Sequence, residues 1–220
     1  MHSRVDETVD EVVRGIRAGN IYVNRNIIGA VVGVQPFGGL GLSGSGPKAG
    51  GPLYLHRLVR GGNGPRLEGE AVPIVLDALA ALRAALPRLC DLTDDQRRLL
   101  VARLDAYRQQ SPLRVKLTLP GPTGERNTLQ FLPRGTLGCH AQSLPQLVEQ
   151  LVAAWATGNR ALLPDSDDGR RLVRVINHPD VAFARDLVDV DIQALLFAGE
   201  EAAAVCCVGG WPRAPGPWYR

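Results

Sequence analysis

The glycine-rich tract between Gly29 and Gly51 is the feature that most restricts how this chain can fold. Within it, Gly39, Gly41 and Gly44 have the G-x-G-x-x-G spacing of a dinucleotide-binding loop. Such a loop needs a helix after the third glycine, because the helix N-terminus holds the pyrophosphate. The "SGPKAGGP" that follows is rich in glycine and proline, which disfavour a helix by about 1 and 3 kcal/mol each. The tract therefore does not have the sequence of a nucleotide-binding loop.

The flanks of the tract, "GAVVGVQPF" and "PLYLHRL", are too apolar for a flexible linker in water. We expect ordered, irregular backbone that packs on another part of the protein. Upstream, Ser3 and Asp6 are spaced like a capping box, and apolar residues recur at helical spacing from Val5 to Ile16. The pattern predicts a helix that ends by Gly19 and then a short strand over "IYV".

The later part of the chain alternates strand-like and helix-like segments. A glycine-rich and charged stretch at residues 59–70 predicts a domain boundary near residue 62, between domains 1–62 and 63–220. Helices are predicted for "IVLDALAALRAAL", for the segment opened by a capping box at Thr93 and Gln96, for "LPQLVEQLVAAWAT" and for "RRLVRVI". Strands are predicted for "RVKLTL", "TLQFLPRGTLGCH", "RALLP" and "DIQALLFAG", which together indicate a parallel α/β sheet over residues 110–200.

The first 60 residues also resemble a known family. "GNIYVNRNIIGAVVGVQPFGGLGLSGSGPKAGGPLYLHRL" resembles the C-terminal end of the aldehyde dehydrogenase catalytic domain. Its "VNRN" and "GAVVGVQPFGG" are similar to the glutamate semialdehyde (1-pyrroline-5-carboxylate) dehydrogenase module of the bifunctional proline-utilisation (PutA) family. In that family, backbone N–H groups ahead of PFGG hold the substrate carboxylate, and an aromatic residue packs on its aliphatic stem. The resemblance implies that Gly29 and Ala30 are the anchor and that Phe37 is the aromatic contact.

A weaker resemblance covers residues 63 to about 200. "PRGTLGCHAQSLPQLVEQLVAAWATGNRALLP" is similar to the first half of an aldehyde dehydrogenase cofactor domain, and "HPDV" and "ALLFAG" follow in the family's order. The implied fold is α/β and aldehyde-dehydrogenase-like: a Rossmann-like parallel sheet in the C-terminal domain, preceded by a fragment of the catalytic domain. "HAQSLP" replaces the family's "PWNFP", and "LLPDSD" lacks its ribose-binding lysine. We therefore expect a noncatalytic domain without bound NAD. The resemblance implies that this domain covers and stabilises the active site.

The chemistry of an aldehyde dehydrogenase needs a cysteine nucleophile, a glutamate base and an asparagine oxyanion donor. In the family these residues precede the PFGG segment, and none of the four cysteines here has a matching context: Cys90, Cys139, Cys206 and Cys207. The resemblance implies a fragment of a bifunctional proline dehydrogenase and L-glutamate γ-semialdehyde dehydrogenase, inactive alone. Its partner would be the remainder of the dehydrogenase module, with NAD and FAD as cofactors of the parent. Self-association into a homo-oligomer and a stand-alone noncatalytic scaffold that docks on an aldehyde dehydrogenase remain open.

Composition excludes several other functions. The net charge of +3 comes from scattered lysines and arginines, which is not the pattern of a nucleic-acid-binding surface. No apolar run is long enough to span a bilayer, and the charged N-terminus is unlike a signal peptide, so a cytoplasmic location is expected.

Neither the cysteines nor the pair His140 and His178 has metal-ligand spacing. "DSDDG" lacks the glutamate that closes a calcium loop, so we interpret it as a turn that caps the next helix. The final "CCVGGWPRAPGPWYR" loses α/β periodicity, which suggests a gene fragment or a frameshifted end.

Overall fold

The computed structural model of the chain describes residues 1–59, 67–72 and 76–199, apart from 33, 42, 45, 186, 188 and 189. The chain divides into two compact units. The first contains Met1–Ala71 and Val115–Gln130, and the second contains Val72–Arg114 and Phe131–Arg220. The expected boundary near residue 62 and the predicted C-terminal irregularity lie outside the described residues. The domain limits 1–62 and 63–220 therefore stay a prediction. The segment Val115–Gln130, which comes later in the chain, nevertheless groups with the first unit.

The first unit contains one α-helix and a small sheet within its described residues. Helix α1 spans Asp6–Gly15, and strands β1 (Glu70–Ala71), β2 (Val115–Leu119) and β3 (Asn127–Leu129) form an antiparallel sheet in the order β1-β2-β3. The predicted capping box at Ser3 is wrong, because the N-cap is Val5 and no side chain caps the helix. The Ser3 hydroxyl instead accepts a hydrogen bond from the Val5 N–H at 3.1 Å.

The predicted strand at residues 21–23 is also absent, because this segment is tied to the N-terminus. The Met1 ammonium donates to the Tyr22 carbonyl at 2.8 Å. Asn24 has a left-handed φ of 55°, which ends any extended run, and its side chain makes two hydrogen bonds with the Ser3 backbone, at 2.9 and 2.8 Å. Hydrogen bonds to the N-terminal residues thus replace strand pairing in residues 21–23.

The described residues of the glycine-rich tract form ordered irregular backbone, as predicted. The Asn20 side chain donates to the Pro36 carbonyl at 2.9 Å and accepts from the Gly38 N–H at 3.2 Å, and Lys48 Nζ donates to the Gly38 carbonyl at 2.7 Å. A side chain at Gly19 would collide with the Gly38 carbonyl, so only glycine allows this approach. Residues 46–54 form turns and no α-helix, which confirms the expectation that no helix forms in this glycine- and proline-rich segment.

The prediction that "RVKLTL" joins a parallel sheet is wrong. This segment is strand β2, but it pairs antiparallel with β1 and β3, with Leu117 opposite Leu129. Only residues 120–126 connect β2 to β3, and a parallel crossover needs about a dozen residues or more. The single strand predicted over "TLQFLPRGTLGCH" is accordingly two strands in two different sheets.

The second unit is built on a parallel sheet with the strand order β6-β5-β4-β7. The strands are β4 (Thr136–Ala141), β5 (Arg160–Pro164), β6 (Val181–Ala184) and β7 (Ala194–Ala198). Helices α4 (Leu144–Ala156) and α5 (Asp167–Ile176) connect β4 to β5 and β5 to β6. This arrangement confirms the predicted α/β class and is consistent with an aldehyde-dehydrogenase-like, Rossmann-type fold.

Local sequence signals set the helix ends in this unit. Helix α2 spans Asp77–Ala85, and α3 spans Asp94–Gln110 behind the predicted capping box: Thr93 Oγ1 accepts from the Gln96 N–H at 3.2 Å, and Gln96 Oε1 accepts from the Thr93 N–H at 2.9 Å. Gly158, with a φ of 69°, follows the end of α4. "DSDDG" does cap the next helix, since Ser166 Oγ accepts from the Gly169 N–H, but α5 already begins at Asp167.

Helix α3 packs against α4, and α2 packs against α4 and α5. The core between the helices and the sheet includes the fully buried Leu79, Leu151 and Leu163, with Trp155 only 2% exposed. In the part of the chain that the structure describes, no helix is both long and apolar enough to cross a bilayer.

Candidate functional site

The predicted carboxylate anchor lies in an exposed loop of the first unit. We call residues 26–34 the anchor loop. Gly29 is exposed and left-handed, with a φ of 69°, and Ala30 is half-buried. Neither backbone N–H donates a hydrogen bond to another described residue. The adjacent N–H groups of Gly29 and Ala30 resemble the backbone nests that bind anions, because glycine has no side chain that would obstruct the approach of an anion.

A turn after Ala30 holds the second half of this loop. The Val31 carbonyl accepts from the N–H groups of Val34 and Gln35, at 3.1 and 2.9 Å. The Gln35 side chain closes the turn, because its Oε1 accepts from the Val31 N–H at 2.9 Å. Gln35 is 7% exposed, so this amide is a buried polar group whose hydrogen bonds matter for stability. Before the anchor, Asn26 Oδ1 accepts from the Ile28 N–H at 3.2 Å.

Phe37, the predicted aromatic contact, is fixed by its backbone and not by its ring. Two backbone hydrogen bonds join it to Ala49, at 3.1 and 3.0 Å. Its side chain is 58% exposed, so it is not a core aromatic of this unit. The structure therefore presents Phe37 on a surface, and its contact with a substrate stays a prediction.

Sequence analysis missed the residues that hold the anchor loop from the side. Glu125, in the turn between β2 and β3, accepts from Arg25 Nη1 at 2.9 Å through Oε1 and from Gln35 Nε2 at 2.8 Å through Oε2. The Arg25 guanidinium also lies 5.3 Å from the centroid of the Tyr22 ring, within cation–π range. The Arg25–Glu125 pair is about one-quarter to one-third exposed, which screens it less than a fully solvated pair.

Apolar side chains in and beside the anchor loop are open to solvent. Ile27, Ile28 and Val32 are 77%, 84% and 92% exposed. Single exposed apolar residues are ordinary, but a concentration of them indicates a surface that contacts another protein or a ligand. Leu55, Leu58 and Val59 are also exposed in the same unit.

One of the two described cysteines does not have the properties of a nucleophile. Cys139 is fully buried on β4, and burial raises the pKa of its thiol to about 12. A thiol in that state does not supply the thiolate that attacks an aldehyde. Cys90 is exposed and unpaired with another cysteine, while Cys206 and Cys207 lie outside the described residues.

The two histidines considered as metal ligands have other partners. His140 stacks on Phe197 with ring centroids 5.1 Å apart, across the neighbouring strands β4 and β7. His178 packs against the Trp155 ring, and its two nitrogens each lie 3.8 Å from a carboxylate, of Asp77 and of Asp180. Among the residues with a described position, no group of three histidine, cysteine or acidic side chains could hold a metal ion.

The carboxyl edge of the parallel sheet is where this class of fold binds ligands. The connection from β4 to α4 consists of Gln142 and Ser143, without a glycine. The first turn of α5 carries Asp167 and Asp168, and the pKa of the preceding Asp165 is lowered by its hydrogen bond from Arg170. These carboxylates occupy the helix end that would otherwise attract a phosphate.

No family model matches this chain. The bifunctional protein PutA of Escherichia coli K12 is 38% identical over 219 residues, which is 94% of this chain and 16% of that protein. PutA of Klebsiella aerogenes is 44% identical over 79% of this chain and 14% of its own length. A shorter match, 51% identical over 47 residues, links 21% of the chain to 9% of 1-pyrroline-5-carboxylate dehydrogenase 2 of Halalkalibacterium halodurans.

The chain thus spans about one-sixth of the length of the PutA proteins that it matches. Identities of 38% and 44% over most of the chain, together with the parallel sheet of the second unit, are consistent with a C-terminal part of such a protein. The chain is homologous to the bifunctional PutA proteins.

Proposed function

We propose that the first unit forms one wall of the aldehyde site of an L-glutamate γ-semialdehyde dehydrogenase, within a bifunctional protein that converts proline to glutamate. One observation carries the proposal: Gly29 and Ala30 present backbone N–H groups that bind no other described residue, on an exposed loop of a PutA homologue. The match to 1-pyrroline-5-carboxylate dehydrogenases gives further support.

The anchor works through its backbone. The N–H groups of Gly29 and Ala30 donate to the carboxylate of the semialdehyde, and charge-assisted hydrogen bonds of this kind are stronger than neutral ones. The exposed ring of Phe37 packs on the aliphatic stem between that carboxylate and the aldehyde. Together the two contacts orient the substrate and raise its affinity for the enzyme, and they take no part in making or breaking bonds.

The reacting groups come from the rest of the dehydrogenase module. Cys139 is buried and the pKa of its thiol is raised, so it is not an activated nucleophile, and the sequence around Cys90 does not match the family's nucleophile. We therefore propose that this chain alone is inactive and that its partner is the remainder of the module. The parent enzyme uses NAD for aldehyde oxidation and FAD in its proline dehydrogenase module.

The second unit has a structural role in this proposal. It is a Rossmann-type body that covers and stabilises the active site and binds no NAD. The acidic first turn of α5 and the glycine-free connection after β4 both disfavour a pyrophosphate at the sheet edge.

An activity assay tests the proposal. The chain is placed in E. coli PutA in exchange for the matched segment, and oxidation of glutamate semialdehyde is followed as NADH formation. The chimera should be active, the isolated chain inactive, and Phe37→Ala in the chimera should raise KM for the semialdehyde. An active chimera in which Phe37→Ala leaves KM unchanged would contradict the placement of the substrate stem.

The exposed apolar side chains favour a second candidate, a noncatalytic scaffold that docks on an aldehyde dehydrogenase. A scaffold would bind the separately expressed remainder of the module without restoring its activity. Restored NADH formation in that mixture would exclude it.

A further inference from the structure

A single carboxylate contacts both ends of the anchor loop. Glu125 accepts one hydrogen bond from Arg25, the residue before the loop, and one from Gln35, the residue after it. The two donors bind different oxygens, at 2.9 and 2.8 Å, so neither competes with the other. Residues 25 and 35 are thereby held at a common point, and the loop between them is closed.

The second contact also orients the Gln35 amide. An ionised carboxylate can only accept hydrogen bonds, so it must face the amide nitrogen of Gln35. The amide oxygen then points to the Val31 N–H, which donates to it at 2.9 Å. Both contacts select the same orientation, because a flipped amide would place its NH2 group against the Val31 N–H and its oxygen against the Glu125 carboxylate. Loss of Glu125 removes one of these two constraints on Gln35.

We propose that Glu125 is a positioning residue for the carboxylate anchor, acting through Gln35 and Arg25 to hold Gly29 and Ala30 in their substrate-binding orientation. The inference rests on the proposed function. Arg25 also balances the Glu125 charge, so the clamp does not oppose the approach of an anionic substrate. The hairpin β2–β3 therefore has a role in substrate affinity although it holds no substrate contact.

Hydrogen–deuterium exchange of the full chain tests the clamp without any assay of activity. In Glu125→Ala, the amides of Val31, Val34 and Gln35 should exchange about tenfold faster, because their hydrogen bonds in the turn open more often. Arg126→Gln is the matched control: this neighbour is exposed and in the same turn, and the variant should exchange like the wild type. Unchanged exchange in Glu125→Ala would overturn the inference.

If Glu125→Ala does not fold, Glu125→Gln gives the same test. It keeps an oxygen that can accept from Gln35 and loses the charge that binds Arg25. Exchange of the Val31, Val34 and Gln35 amides should then lie between the wild type and a fully opened loop. Wild-type exchange in this variant would show that Arg25 has no part in the clamp and would overturn the inference in the form stated.

Kinetics in the E. coli PutA chimera test the role in binding. Glu125→Ala should raise KM for glutamate semialdehyde about tenfold with kcat unchanged, and it should leave KM unchanged for pentanal, which has no carboxylate. A residue needed only for folding would affect both aldehydes alike, and that result would overturn the inference.

Measurements of KM and of amide exchange distinguish a failure of this inference from a failure of the proposed function. If Gly29→Ala raises KM for the semialdehyde and Glu125→Ala does not, the anchor stands and the positioning role is overturned. If Glu125→Ala speeds exchange but neither variant changes that KM, the clamp exists and the proposed anchor function is overturned.

Discussion

A pair of glycine substitutions separates the anchor function from the general cost of backbone strain. Gly29 and Gly41 have left-handed φ angles of 69° and 67°, and a Cβ added at either position would meet no atom within 4 Å. Gly29→Ala and Gly41→Ala therefore impose the same conformational cost, without a steric clash. Gly29 lies in the anchor loop, and Gly41 lies in a separate turn that pairs with Gly44.

The size of the effect follows from the left-handed φ. Alanine is disfavoured there by about 1–2 kcal/mol relative to right-handed backbone. If the variant loop relaxes to a negative φ, substrate binding must restore the original conformation, and the same 1–2 kcal/mol appears as a five- to thirtyfold rise in KM, approximately. kcat should not change, because the interaction is made equally with the ground state and the transition state.

The measurement is steady-state kinetics of both variants in the E. coli PutA chimera, with urea unfolding of the isolated chain as the stability control. Both variants should lose a similar free energy of unfolding, at most about 1 kcal/mol, since alanine also restricts the unfolded chain. Only Gly29→Ala should raise KM for glutamate semialdehyde. An equal rise in both variants, or no rise in either, would refute the assignment of the anchor to this loop.

Three further predictions concern the second unit. Arg97→Met should lower the free energy of unfolding of this unit, measured in urea, by about 2 kcal/mol, because the Arg97 guanidinium donates to the backbone carbonyls of Leu86, Leu89 and Leu92. As a control, Arg98→Met removes only an exposed ion pair and should change this free energy by less than about 0.5 kcal/mol. The folded Cys139 thiol keeps its proton up to a pKa of about 12, while the unfolded thiol releases it near its ordinary value of 9.0, so this residue lowers the free energy of unfolding by about 1.4 kcal/mol per pH unit between pH 9 and pH 12. Cys139→Ala should remove this contribution to the pH dependence. An unchanged slope in alkaline urea titrations would contradict the burial argument. Isothermal titration of the full chain with NAD should give no micromolar binding, and such binding would disprove the loss of the cofactor site.

The sequence predicted best where structure depends on near neighbours. The capping box at Thr93 and Gln96, the apolar stripe of α4 and the glycine after it act within a few residues of one another, so they can be recognised without knowing the fold. The same holds for strands β5 and β7 as elements. The prediction for residues 21–23 failed because the left-handed Asn24 and the pairing with the N-terminus override the strand propensity of "IYV".

The pairing of strands and the clamp on the anchor loop could not be predicted in this way. Strand β2 was recognised, but its partners β1 and β3 decide whether it joins a parallel or an antiparallel sheet. Glu125 and Gln35 are separated by 90 positions, and no motif marks either of them. An exposed-looking glutamate in a glycine- and proline-rich turn has no local feature that indicates a buried amide as its partner.

The sequence by itself determined the α/β class, the rejection of a nucleotide loop at the glycine tract, and the resemblance that points to Gly29, Ala30 and Phe37. Each of these depends on residue types at short spacing, where backbone sterics and hydrophobic periodicity act directly. Only the tertiary structure decided that the glycine tract is braced by side chains, that Phe37 is exposed, and that one carboxylate closes the anchor loop. The bracing and the clamp are contacts between segments that are distant in sequence, and the exposure of Phe37 depends on what the fold packs against its ring. The free energy of such contacts depends on which groups the whole fold brings within hydrogen-bonding distance and removes from water.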